Sequence, residues 1–226
     1  MSETVRFQFG KGEQVRFISH LDLMRCMERS FRRAGIMLSH TEGFNPHPKL
    51  SFGLPLPVGV ISKACYMDAV IEDLLPMEEL IQRLNKALPE GLKVFHAVIP
   101  EDKKAVMSLV SHARYLFVVK PLDCPIDVFT DEIKNILNQE GVYIEKETKK
   151  KSKMINIKDM IQSYEVKQDG DNVVMEIMCD AGSVSNLNPM LIWKAIAMYT
   201  DYKSELPSVE RLGLYKTENG KPVPVI

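Results

Sequence analysis

Arg25, Arg29, Arg32 and Arg33 recur at helical spacing within a single stretch, Arg16 stands shortly before them, and no lysine is interspersed. A guanidinium fork matches the planar oxygen pairs of phosphate and carboxylate, so this stripe has chemistry suited to a polyanion. The competing reading is a solvated helix face with weak pairing to Asp22 and Glu28. Ser19 with Asp22 has the spacing of a capping box, which puts His20 at the first helical position. Free N–H groups and the helix dipole make that end attractive to an anion. A histidine there binds phosphate or acts as general acid or base. The plainer alternative is an imidazole satisfied by a backbone carbonyl at the rim of the core.

Two further strings carry candidate chemistry. Gly43 to Gly53 reads GFNPHPKLSFG. Its prolines push the residues before them into extended geometry, so Asn45, His47 and Lys49 are presented stiffly, in a manner suited to recognition. Phe44 and Phe52 either stack on a base or pack locally. The second string, Lys146 to Lys158, holds six lysines against one acid, Glu147. Lys149, Lys150, Lys151 and Lys153 form its centre and suit contacts to a phosphate backbone, although such runs are commonly just solvated. His20, His40 and His47 have no acidic or thiolate companions at ligand spacing, so no metal and no cofactor is expected. No Walker A, GxGxxG, HExxH or GxSxG string occurs, nor a three-cysteine cluster motif.

These residues need elements to hold them. Thr4 to Phe9 alternates as a strand does, Ser19 to Gly35 has helix start and stop signals, and Ile36 to His40 reads as a short strand. Leu23, Met24, Met27, Phe31 and Ala34 share one arc of the helix and form its core face. Strands at Leu50–Leu54 and Ala64–Glu72, a helix from Pro76 to about Leu88 and a strand at Leu92–Ile99 complete a β-α-β-β-α-β order. The second half repeats that pattern, with a hairpin around Asp169-Gly170-Asp171 and a last helix from Asn188-Pro189. The expected fold class is therefore α+β, two tandem ferredoxin-like modules, at residues 1–100 and 112–226. The first carries the Ser19–Arg25 and Gly43–Gly53 strings, the second the lysine-rich segment.

At 226 residues the chain is long enough to bury a core unaided by metal or disulfide. Its 45% hydrophobic and 26% charged content excludes disorder and collagen-like repeats. Apolar runs are too short for a membrane helix. Four scattered cysteines fit a reduced, cytoplasmic protein. With 29 basic against 30 acidic residues, any nucleic-acid surface must be a local patch.

Arg16 to Arg25 (RFISHLDLMR), Gly43 to Gly53 and Leu54 to Gly59 (LPLPVG), with Arg211 to Tyr215 near the end, resemble a bacterial family of unknown function described as radical-SAM-associated, or radical-SAM-linked. Cys65 and Leu212 depart from its pattern, where an acidic residue and a threonine are expected. The resemblance implies partnership with a radical SAM enzyme, often a cobalamin-binding one. On that basis the expected function is a non-catalytic accessory module that recognises the enzyme's substrate, RNA in the first instance. Arg16, Ser19, His20, Arg25, Arg29, Arg32, Asn45, His47, Lys49 and the four central lysines would hold it. The alternatives are a metal-independent RNA-cleaving enzyme using His20, and a protein-docking scaffold.

Overall fold

The computed structural model describes residues 2–102, 104–147 and 152–226. The chain divides into two compact units, Met1–Val110 with Gly213–Ile226, and Ser111–Leu212.

In the first unit, β1 (Glu3–Lys11), α1 (His20–Arg33), β2 (Leu50–Phe52), β3 (Ile61–Ile71), α2 (Met77–Ala87), β4 (Leu92–Val98) and the single turn α3 (Val106–Leu109) follow one another. β1 pairs antiparallel with both β3 and β4, and β2 pairs antiparallel with β3. Alternation along β1 sends Val5, Phe7 and Phe9 into the core. α1 lays Leu23, Met27 and Phe31 against them, and Phe31 meets Phe7 edge-on at 5.7 Å. α2 buries Leu80 and Leu84. Each such side chain contributes about 1.5–3 kcal/mol by leaving water. Asn85 fastens α2 to β4 by bonding both the N–H and the C=O of Val94, at 2.8 and 2.9 Å.

Ser19 caps α1 by accepting the Asp22 N–H at 3.2 Å, and its hydroxyl donates to the Asp22 carboxylate at 2.7 Å. Gly35 ends the helix at φ +67°, a left-handed conformation that costs a residue without Cβ little. The segment Ile36 to His40 is not a strand. Only the isolated bridges Leu38–Ile71 and His40–Pro48 form there, because the chain leaves β3 after one pairing.

In the second unit, β5 (His112–Val119) precedes α4 (Ile126–Asn138), β6 (Tyr143–Glu147), β7 (Ser152–Asn156), β8 (Ile161–Asp169), β9 (Asn172–Asp180) and α5 (Pro189–Tyr199). β9 pairs antiparallel with β5 and with β8, while β6 and β7 form a separate two-stranded antiparallel sheet. Tyr115, Phe117, Met175 and Ile177 supply the sheet's side of the core; Phe129, Ile133, Ile192 and Ile196 supply the helices' side. Asn188 accepts the Met190 N–H at 2.9 Å and Pro189 occupies the first turn, which sets where α5 begins.

β10 (Ser208–Glu218) and β11 (Lys221–Pro224) end the chain. Residues Ser208–Leu212 belong with the second unit and Gly213–Ile226 with the first. This corrects the expectation of two tandem ferredoxin-like modules. A tandem repeat needs the second half to keep its own closing segment, whereas here that segment is divided and returns to the first unit. The fold remains α+β.

Candidate functional site

The strings singled out in the first half of the chain meet around the start of α1. Lys11, at the end of β1, is buried, and its Nζ donates to the carbonyls of Arg16 and Ile18 at 2.9 and 3.2 Å. This ammonium holds the 16–18 segment ahead of the Ser19 cap. The Gly59 N–H donates to the Arg16 carbonyl at 2.9 Å, which brings the Leu54–Gly59 string against the same segment. Phe52, from the Gly43–Gly53 string, receives the His20 ring edge-on at 5.4 Å.

His20 is half-buried in this setting. Desolvation first, and the neighbouring Lys11 charge second, hold its imidazole below the usual histidine range. It is therefore neutral at pH 7 and able to accept a proton. Arg16 pairs with Glu13 at 2.7 Å and lies over the Phe17 ring at 4.6 Å, with Phe17 itself exposed. A cation backed by an open aromatic face suits a phosphate next to an unstacked base.

Arg25, Arg29 and Arg32 are exposed along α1, and among the described residues only Arg25 of the three forms an ion pair, with Asp22 at 3.7 Å. Arg33 is diverted to structure: it donates to Ser30 Oγ at 3.0 Å and to the Ala87 carbonyl at 2.7 Å, tying α1 to the end of α2. The loop carrying Asn45 and His47 is closed at its base. The Thr41 N–H donates to the His47 carbonyl at 2.8 Å, the His47 N–H to Thr41 Oγ1 at 3.0 Å, and the Lys49 N–H to the Ser39 carbonyl at 2.7 Å. Asn45, His47 and Lys49 are exposed on it, and Phe44 is fully exposed.

Lys153 is exposed on β7 in the second unit. Lys149, Lys150 and Lys151 lie outside the described residues. Among the described residues, no group of three or more His, Cys, Asp or Glu is placed to hold a metal ion, and no helix is long and apolar enough to cross a membrane.

Sequence reasoning misses two parts of this site. Lys11 reads as a turn residue because it follows Gly10, and the burial of its charge depends on carbonyls from a segment not yet folded against it. Phe17 escapes notice because an aromatic beside an apolar residue, Ile18, reads as core.

A family model described as "Uncharacterized protein conserved in bacteria (DUF2344)" matches residues 4–189. No curated protein matches. Among solved structures, a chain of "Crystal Structure of a Cbf5-Nop10-Gar1 Complex" is 11% identical with a TM-score of 0.51, over 95% of this chain and 50% of that one. A chain of "Structure of H/ACA RNP bound to a substrate RNA containing 2'-deoxyuridine" is 12% identical with a TM-score of 0.46, over 96% and 47%. The present chain thus spans about half the length of each. The first likeness runs through nearly the whole chain and replaces the tandem ferredoxin-like description with an α+β fold like that of a chain of the Cbf5-Nop10-Gar1 complex. It also overturns the expected radical-SAM-linked accessory role, its radical SAM enzyme partner and its non-catalytic character. The matching family description carries no such link, and the fold is instead like that of a chain of the Cbf5-Nop10-Gar1 complex.

Proposed function

Because the chain belongs to this bacterial family, whose matched residues 4–189 contain both α1 and the Thr41–Lys49 loop, we propose that it is an enzyme acting on RNA, with His20 as its proton acceptor. The observation that carries this reading is the neutral, half-buried imidazole at the capped start of an arginine-bearing helix. Phosphates run along Arg25, Arg29 and Arg32, and Phe17 and Phe44 offer open rings to unstacked bases. The likeness of fold to a chain of the Cbf5-Nop10-Gar1 complex supports an RNA enzyme over a passive module.

The reaction this geometry suits is metal-independent strand cleavage. His20 takes the proton of a ribose 2′-hydroxyl, the oxygen attacks the adjacent phosphorus, and the 5′-oxygen of the next nucleotide leaves. The products are a 2′,3′-cyclic phosphate and, once the leaving oxygen is protonated, a 5′-hydroxyl. Arg16, beside the helix start, offsets charge on the phosphate. Four free cysteines, two of them buried, support placement in the reducing cytoplasm.

The test is incubation of purified protein with structured RNAs in excess chelator, with product ends identified by mass spectrometry. Cyclic-phosphate ends are expected, with the rate reduced about 10²–10⁴-fold in His20→Ala. Intact RNA throughout, or equal cleavage by His20→Ala purified in parallel, overturns the reading.

A further inference from the structure

Beside the arginine helix lies a cavity of about 490 Å³, within the ~300–1,000 Å³ span of ligand pockets. Its floor is apolar, made by Phe31, Ile36 and Leu38, all buried. Glu28 and Arg32 from α1 and Glu72, which directly follows β3, also line it. His40 and Pro48, at the base of the Thr41–Lys49 loop, close the other side. The helix and the loop, which sequence reasoning keeps apart, therefore border one hollow.

None of the Glu28, Arg32 and Glu72 side chains has an ion pair or side-chain hydrogen bond among the described residues. Solvated helix charges ordinarily offset one another at three- or four-residue spacing, yet Glu28 and Arg32, four apart on α1, do not pair. Two free carboxylates over an apolar floor select a flat ligand with adjacent N–H donors. Guanine has that edge, with N1–H beside the 2-amino group. Uracil offers one N–H between two carbonyl acceptors, which the carboxylates repel.

Resting on the RNA reading above, we propose that this cavity receives one unpaired guanine of the bound RNA. A carboxylate of Glu28 or Glu72 accepts from N1–H and the 2-amino group, and Arg32 takes the neighbouring phosphate. The cavity is thereby a specificity pocket, separate from the proton acceptor His20.

The test is fluorescence anisotropy at low salt with the hexamers UUGUUU, UUIUUU and UUUUUU, where I is inosine. The guanosine hexamer is expected to bind about tenfold tighter than the uridine hexamer, in line with one two-donor contact. Inosine, which lacks the 2-amino group, falls between. In Glu28→Gln with Glu72→Gln the guanosine-to-uridine ratio drops to about one, and a thermal melt checks that the variant is folded. Equal binding of the three hexamers by wild type, an inosine hexamer as tight as the guanosine one, or a ratio kept in the variant overturns the pocket while leaving RNA binding intact. If none of the hexamers binds, the RNA reading fails and the pocket fails with it.

Discussion

Arg6 and Asp68 sit directly opposite each other on β1 and β3, and the Arg6 Nε donates to Asp68 Oδ1 at 2.8 Å. Their side chains are only 4% and 7% exposed. Arg6 Nη2 reaches the other carboxylate oxygen at 3.1 Å and the Lys104 carbonyl at 2.9 Å, while the Val106 N–H donates to Asp68 Oδ2 at 2.7 Å. One ion pair thus seals a sheet position and fixes the entry to α3.

Removing Asp68 leaves the buried Arg6 charge with only the half-exposed Asp102 carboxylate, 4.0 Å away. Asp68→Ala should cost about 3–5 kcal/mol of unfolding free energy, since breaking a buried pair is far worse than replacing it. The double variant Arg6→Met with Asp68→Leu should recover much of that loss. Urea denaturation of the three proteins decides it. A double variant no more stable than Asp68→Ala would show that the hydrogen bonds to Lys104 and Val106, rather than the charges, are what matter.

The cysteines should divide by burial. Cys179 is buried, and its thiol is pushed up to about 12 by desolvation first and by Asp180 second. Cys65 is also buried, whereas Cys26 and Cys124 are half-buried. Burial first, then Asp123 and Asp127, raise the Cys124 thiol. Alkylation at pH 8 should therefore modify Cys26 fastest, Cys124 slowly, and Cys65 and Cys179 only after unfolding. Peptide mapping of native and denatured samples reads this directly. Rapid native labelling of Cys179 would contradict the packing of β9.

How much of the molecule is legible in its sequence depends on sequence distance. α1 can be read because its signals are local: Ser19 caps Asp22, Leu23, Met27 and Phe31 recur at helical spacing, and Gly35 stops the helix. The stiff Gly43–Gly53 loop is legible from its own prolines. Pairings such as Arg6 with Asp68, or Glu28 with Glu72 around one cavity, join residues with no local signal between them. The return of Gly213–Ile226 to the first unit is the same kind of information, and without it the pattern of elements reads as a tandem repeat. Ile36 to His40 misleads for the opposite reason. Its apolar residues look like a strand's, but its bridges to Ile71 and Pro48 are isolated and do not extend into a ladder.

His20 makes stability depend on pH with a definite sign. Its imidazole is held below the usual range when folded, so the unfolded chain binds the proton more readily. Its contribution is present above the unfolded pKa, about 6.5, and is lost as pH falls through the lower folded value. Wild type should therefore lose thermal stability between pH 7 and 5 more steeply than His20→Gln. Parallel melts across that range test it. Identical slopes would mean that the imidazole is as well solvated folded as unfolded, which the packing of its ring on Phe52 argues against.

Charge and stacking should separate in RNA binding. Arg25, Arg29 and Arg32 are exposed, and Leu23, Met27 and Phe31 hold α1 from its other face, so changing the three arginines to glutamine spares the fold. Each arginine–phosphate pairing removed in this way should reduce the slope of log affinity against log salt by roughly 0.7–0.9. Phe44 carries no charge and stands fully exposed on its closed loop. Phe44→Ala should therefore lower affinity by about 1–3 kcal/mol with the salt slope unchanged. A salt titration of binding to one structured RNA, with wild type and both variants, distinguishes the two effects. If the arginine variant keeps the wild-type slope, the helix face is merely solvated and the phosphates are held elsewhere. If Phe44→Ala binds as wild type does, its ring stacks on no base, and recognition by that loop falls to Asn45, His47 and Lys49 alone.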